Sequence, residues 1–359
     1  MNIAVFHELH QGGARRAVNE IAKQLKKEHT VDLYLIDEKN DNNEKEYYTS
    51  IHFFRFKPKQ WRGNNWKIRL YKDTIELFKL YLLHKKIAKQ INAKKYDVVF
   101  IHPSQYTQAP FILRFLRKKT IYYCQEPLRL VYDPLLKIKQ PISIKIFYEK
   151  TIRQIRKKND KNNISFAKLL LANSVFSKNN IFNAYGKNTQ VCYLGVDTEF
   201  FKPGKNKRDI DILLVNKRPS EKDSLLQELT ARLAKKYNIH TLGNTNTWIS
   251  EKELLALYQR TKIVVCLSRN EPFGLIPLEA GASGCVTIAI NEGGFKESIS
   301  NNLTGFLVEP DMKVIEKTID KLIAHPKDLI KISSNAREEI LKKWTWKHTA
   351  KHLEQILKQ

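Results

Sequence analysis

The 359-residue chain is poor in cysteine, and the four it has, Cys124, Cys192, Cys266 and Cys285, are scattered without any Cys-x-x-Cys pair. That spacing indicates neither a zinc site nor a disulfide framework, and a reducing compartment is the simpler setting. No apolar run reaches about 18 residues, so no segment reads as membrane-spanning. The opening MNIAVFHELH enters a strand directly, with no charged region ahead of a long apolar core, which argues against a secretory signal. Also missing are a G-x-G-x-x-G dinucleotide fingerprint, any zinc-finger, RNP or basic-zipper pattern, and an Asp-x-Asp pair placed to hold a metal. Acidic residues are outnumbered, 37 against 63 Lys and Arg, leaving a net charge of +26.

What is present suits two domains of ordinary size, with 42% hydrophobic residues to build their cores. The charge is not spread evenly. Residues 57–95 hold 12 Lys/Arg against 2 Asp/Glu and residues 135–161 hold 9 against 2, together 17 of the net +26. Such an excess asks for an anionic partner. Nucleic acid is one class; membrane phosphate is the other, favoured where Trp61, Trp66, Tyr71, Phe78 and Tyr81 interleave with the first cluster and Ile142, Ile144, Ile146, Phe147, Ile152 and Ile155 with the second. The competing reading is a lysine-rich composition covering ordinary solvated helices.

The chain is organised around Ile263–Gly294. A β-branched run, Ile263 to Leu267, passes through a polar turn with Ser268, Asn270 and Glu271 into a helical stretch, Leu275 to Ser283, and a second apolar run, Val286 to Ile290, ends on Gly293 and Gly294. This predicts a βαβ unit of a parallel sheet, with ligands at the carboxyl ends of its strands. The amides of Phe273, Gly274 and Leu275 open the helix and form a candidate anion site for a diphosphate. Glu271 and Glu279 would repel phosphate and are better placed to accept from hydroxyls. Otherwise Glu271 is a turn residue and Glu279 an exposed helix position.

Elsewhere the periodicity predicts a strand at 2–6, a glycine turn His10–Ala14 and a helix from Arg15 to Lys27, then a strand at 31–37, a Rossmann-like opening. Gly12 and Gly13 would let backbone approach a ligand. A helix is expected over Lys67–Asn92, a buried strand at 94–104 carrying His102 near its carboxyl end, and another strand at 120–130 running into Glu126 and Arg129, which could form a local ion pair. Pro203, Gly204 and the polar run to Arg208 mark a linker, and 211–223 opens the second domain.

The run EPFGLIPLEAGASG with its E-x(7)-E spacing, the following GG and Glu297, and LTGFLVEPD at 303–311 resemble the donor-site signature of retaining GT-B glycosyltransferases of family 4. The resemblance implies an α/β GT-B fold of two Rossmann-like domains facing a central cleft: 1–204 binding acceptor, 205–342 binding nucleotide sugar, and a helix at 343–359 crossing back. It implies transfer of a sugar from a nucleotide-diphosphate sugar to an acceptor hydroxyl without a cofactor or metal. Glu271 and His102 would hold the donor sugar, Glu279 the ribose, Leu242 and Gly243 the base, and Gly12, Gly13, Glu126 and Arg129 the acceptor. Lys222, with Lys217 or Arg218, Gly13 and the amides of Phe273, Gly274 and Leu275, would neutralise the diphosphate; Glu271, His102 and Lys222 form the catalytic set.

The sequence departs from the family pattern in three places. Lys217 stands where an arginine is usual, with Arg218 beside it, and lysine lacks the bidentate grip of arginine. Val286 replaces a proline. The connection through Lys235 to Ile239 is too short for a further strand and helix that related chains carry. A cell-envelope, lipid-linked or polysaccharide glycan is the expected acceptor, and a cytoplasmic location, peripheral on an anionic membrane through 57–95 and 135–161, is the expected setting. The rival readings are a non-catalytic GT-B-like binding protein or scaffold and a basic nucleic-acid-binding protein.

Overall fold

Strand and helix alternate along this chain, and a strand that returns parallel to its predecessor needs a crossover helix, so the pattern builds parallel sheets covered on both faces. The structure, a computed structural model, describes residues 1–39, 44–60, 66–136, 144–205, 207–215, 224–242 and 249–358. It divides into two units. One comprises Met1–Asn173, Ser177–Cys192 and His352–Gln359; the other comprises Ser174–Phe176 and Tyr193–Lys351. The division falls at Tyr193, ahead of the linker read from sequence. Tyr193 stacks edge-on against Trp344 with ring centroids 5.2 Å apart, and the Val196 amide donates to the Trp344 carbonyl at 2.8 Å, which ties this stretch to the second unit.

In the first unit, β1 (Asn2–Glu8), β2 (Thr30–Asp37), β3 (Ser50–Arg55), β4 (Val98–Ser104), β5 (Thr120–Tyr123), β6 (Leu169–Ala172) and β7 (Gln190–Val191) form one parallel sheet in the order β3-β2-β1-β4-β5-β6-β7. Its helices are α1 (Gly13–Leu25), α2 (Trp66–Tyr71), α3 (Leu77–Ala93), the short α4 (Arg129–Tyr132), α5 (Ile144–Ser165) and most of α6 (Val175–Tyr185); a π-helical turn, Lys72–Glu76, joins α2 to α3. All seven residues of β4 are buried, as both-face coverage requires. The strand expected over 120–130 ends at Tyr123. Pro127 has no amide to give a ladder, and the chain turns into α4.

The second unit holds β8 (Ile210–Val215), α7 (Ser224–Leu233), β9 (Ile239–Leu242), α8 (Glu251–Arg260), β10 (Thr261–Cys266), α9 (Leu275–Ala282), β11 (Val286–Ile290), α10 (Phe295–Ser298), β12 (Gly305–Val308), α11 (Met312–Ala324), α12 (Pro326–Lys343) and α13 (Trp346–Leu357), the last counted with the first unit from His352 onward. Its five strands run parallel in the order β12-β11-β10-β8-β9. The short connection after α7 leads straight into edge strand β9, where Asp211 and Asn238 exchange hydrogen bonds at 3.0 and 2.9 Å. Helix α9 is apolar on nearly every side and correspondingly sunk, with Pro277 to Ala282 all buried. The four cysteines are buried thiols outside any disulfide. Among the described residues no helix is long and apolar enough to cross a membrane.

Candidate functional site

Strand order reverses between β8 and β10 in the second unit, and an open parallel sheet offers its ligand crevice at the carboxyl ends of such a pair. Leu242, Val215 and Cys266 stand side by side there as the register partners that end β9, β8 and β10. Beyond Cys266 the chain forms the Leu267–Gly274 loop and enters α9. Gly274 caps that helix at φ 98° with no side-chain hydrogen bond. A Cβ at this position would also lie 2.9 Å from the Phe295 ring, so only glycine suits it. By contrast, α8 is closed by a Ser250–Glu253 capping box and α11 by Asp311, which accepts from the Val314 amide at 3.0 Å. The donors that open α9 are therefore left to something other than a capping side chain, which is the chemistry of an anion site.

The loop before α9 is held from the β11–α10 turn. The Gly294 amide donates to the Glu271 carbonyl at 2.8 Å, and a Cβ on Gly294 would come 2.6 Å from the Pro272 carbonyl oxygen. Glu292 accepts from the Asn270 amide at 2.8 Å and from Arg269 Nε at 2.8 Å, steadying Asn270 at φ 52°. Glu271 is thereby presented half-buried. Glu279 differs from the exposed helix residue that spacing alone allows: it is 1% exposed, and Tyr258, itself buried on α8, donates to its carboxylate at 3.2 Å. Glu297 accepts from the amides of Val175 and Phe176 at 2.8 and 2.9 Å, all within this unit.

The first unit reverses its strand order between β1 and β4. Gly12 caps α1 at φ 150°, again with no side-chain bond, and the space where its Cβ would stand is open to 4 Å. Around this turn lies a nest of buried polar side chains that sequence reasoning passed over. Arg15, 2% exposed, donates to Glu44 at 2.7 Å, to Asp37 at 2.6 Å and to the Leu9 carbonyl at 3.1 Å, so it fixes the loop leading to Gly12. Burial opposes its charge, but the bonds to Glu44 and Asp37 outweigh it and its pKa is raised. His84 accepts from the Ile112 amide at Nδ1 and turns Nε2 toward Glu8 at 3.3 Å. His7 is wholly buried, its pKa pushed down to about 3 by burial and then by Arg15. His102 is also fully buried, with neither ring nitrogen hydrogen-bonded, and burial followed by His7 keeps it neutral.

The structure thus brings Glu271, Phe273, Gly274, Leu275 and Glu279 together at one switch point and Gly12, Gly13 and His102 at the other. Lys217, Arg218, Lys222 and Gly243 lie outside the described residues. Arg129 bonds Asp133 through two nitrogens at 3.1 and 3.2 Å and stands 3.9 Å from Glu126, so the local ion pair allowed by the sequence is formed. The carboxylates of Asp209 and Asp211 flank the amino end of β8, where Arg260 and Lys262 hold them at 2.5 and 2.6 Å. One described trio, Glu28, His29 and Glu354, has ligand atoms close enough for a metal; His29 precedes β2, at the end of its sheet remote from the switch point. The signal for the missed nest was positional: His7 and Glu8 end β1, where ligand-side residues fall in parallel sheets.

Residues 205–339 match the model of the family described as glycosyl transferases group 1. Alpha-1,3/1,6-mannosyltransferase ALG2 of Homo sapiens is 42% identical over 77 residues, 21% of this chain and 18% of the human protein. D-inositol 3-phosphate glycosyltransferase of Corynebacterium urealyticum is 29% identical over 106 residues, 29% of this chain and 25% of that protein. The matches thus span well under half of these curated relatives. Among solved structures, Anabaena HepE in complex with UDP and glucose aligns with a TM-score of 0.71 at 18% identity, over 100% of this chain and 99% of that one. Sucrose-phosphate synthase from Thermosynechococcus elongatus aligns with a TM-score of 0.68 at 16% identity, over 99% and 98%. The chain has the GT-B fold, and its residues 205–339 resemble glycosyl transferases group 1.

Proposed function

We propose that the protein is a retaining glycosyltransferase that moves a sugar from a nucleoside-diphosphate sugar to an acceptor hydroxyl. The observation that carries this reading is the end of β10: two glutamates, eight residues apart, flank a helix start that no side chain caps, at the switch point of a parallel sheet. The α9 amides receive the diphosphate, and Lys222 with Lys217 or Arg218 share its charge. Glu279 takes the ribose hydroxyls and Glu271 the sugar hydroxyls. The binding partners named for HepE, UDP and glucose, fit a donor of this class.

As the bond from the anomeric carbon to the phosphate oxygen breaks, negative charge grows on the diphosphate and positive charge on the ring. Preorganised amides and cations lower the barrier by meeting the first, and the Glu271 carboxylate lies close to the second. The acceptor oxygen bonds the anomeric carbon from the same face, and its proton passes to the departing phosphate, so no separate general base is required. The basic groups take the place of a metal. A glycan or lipid-linked hydroxyl compound of the cell envelope is the acceptor class in this reading.

Thermal unfolding in the presence of sugar nucleotides, tested one at a time, identifies the donor, because a ligand that binds only the folded state raises the midpoint. Stabilisation by one nucleotide sugar and transfer that survives chelator are expected. Nucleic-acid binding with no response to any sugar nucleotide, or activity restored only by a divalent metal, would overturn the reading.

A further inference from the structure

The helical run α2–α3 and helix α5 of the first unit share a composition that the site chemistry leaves unused. Every exposed charged side chain on Trp66–Ala93 and on the part of α5 with described side chains, 146–165, is cationic: Lys67, Arg69, Lys72, Lys79, Lys85, Lys86 and Lys89 on the first, Lys150, Lys157, Lys158 and Lys161 on the second. The acidic residues of the same stretches are withdrawn from the surface. Asp73 is gripped by Arg156 and accepts from Tyr148 at 3.2 Å; Glu149 pairs with Arg69 and with Arg153; Glu76 and Asp160 are buried. What remains facing outward is positive charge, of which Arg69 is paired with Glu149 and Lys79 stands 3.9 Å from Glu76.

Set among these cations are large apolar side chains. Trp66, Leu70, Ile75, Phe78 and Leu82 are 62, 40, 47, 59 and 48% exposed, and Phe147 and Ile155 are 72 and 51% exposed. Spacings of four, three and four keep one helix face in register; the five-residue step from Leu70 to Ile75 spans the π-helical turn Lys72–Glu76, which takes up the extra residue. The stripe is therefore continuous. It borders a cavity of about 450 Å³ with an apolar wall of Leu77, Phe78, Tyr81, Phe111, Ile152 and Ile155 and a polar end of Asp73, Arg114, Arg156 and Asn159, a size in the range of ligand pockets. Exposed apolar surface of this extent, rimmed by one sign of charge, matches an interface of anionic phosphates over hydrocarbon.

We propose that this face of the first unit binds an anionic lipid bilayer, with the lysines on the phosphates and a lipid hydrocarbon chain in the Phe78–Ile155 cavity. It stands independently of the proposed transferase activity, since binding is read without turnover. The test is co-sedimentation of the full chain with vesicles of phosphatidylcholine, with and without one-third phosphatidylglycerol. Binding to the anionic vesicles alone, weakened by added salt, is expected. The double variant Phe78→Ser/Phe147→Ser should partition at least about tenfold less with an unfolding midpoint changed little, because both side chains are mostly exposed. In a Phe78→Trp variant, emission should be quenched by chain-brominated lipid beyond the wild-type level. No vesicle binding, equal binding by the double variant, or no additional quenching would each overturn the proposal, as would binding only to RNA or DNA.

Discussion

The two switch points are built from opposite materials. In the second unit the ligand end is mostly backbone: a glycine-capped helix start, a loop clasped by Gly293 and Gly294, and two glutamates set eight residues apart. In the first unit the glycine turn is surrounded by ionisable side chains with almost no exposure, among them His7, Glu8, Arg15, Glu44, His84 and His102. The difference has a physical basis. A pyrophosphate is best met by fixed dipoles that cost no reorganisation, and glycine lets the backbone come close enough. A buried charge network instead makes a loop's position expensive to change, because breaking one ion pair strands the other charge.

The comparison can be broken at four points. Arg15→Met should cost about 3–5 kcal/mol in denaturant unfolding, since it leaves the buried Glu44 and the partly exposed Asp37 without their cation; a loss near zero would mean the nest does not hold the first unit's loop. Next come Glu271→Ala and Lys222→Ala, each expected to lower turnover by about 10²–10³-fold with the unfolding midpoint unchanged. Wild-type turnover from both would remove the chemical role from the second unit. Gly294→Ala should destabilise by about 1–3 kcal/mol and weaken nucleotide-sugar stabilisation together, because the new methyl meets the Pro272 carbonyl; loss of stability alone would separate the clasp from the ligand.

The fourth is a pH slope. His7 titrates near 6.5 when unfolded and near 3 when folded, so between those values the unfolded chain binds the extra proton and stability falls as pH falls, by up to about 1.4 kcal/mol per pH unit. Asp160 acts the other way. Burial pushes its pKa up to about 6 despite hydrogen bonds from Tyr185 and Ala109, so the folded state takes its proton first and gains as pH drops below 6. His7→Gln should flatten the acid limb of a stability-pH curve and Asp160→Asn should steepen it; identical curves for all three proteins would remove the first unit's buried titratable groups from the argument.

Much of this architecture was legible in one sequence. The β-branched runs, the glycine turns and the E-x(7)-E spacing are local patterns, and β1, β4, β10, α9 and β11 lie within a few residues of where periodicity places them. The errors came where a distant residue decides. A strand read through Pro127 stops at Tyr123, and only the structure removes the alternative of an exposed Glu279, which Tyr258, 21 residues away, bonds. The Arg15 nest was unread because its members come from β1, α1, β2, α3 and the segment at Glu44, and no spacing rule joins them.

The sequence by itself determined the alternation of strand and helix, hence parallel sheets, and the loops at which ligands would be met, because those follow from the chain's own period and from glycine. It also determined an excess of cations in two segments. Only the tertiary structure decided that Asp73, Glu76, Glu149 and Asp160 turn inward, leaving those segments positive outside, and that the donors opening α1 and α9 go without a side-chain cap while α8 and α11 are closed. Burial and pairing depend on which elements pack together, and those neighbours lie tens of residues apart along the chain.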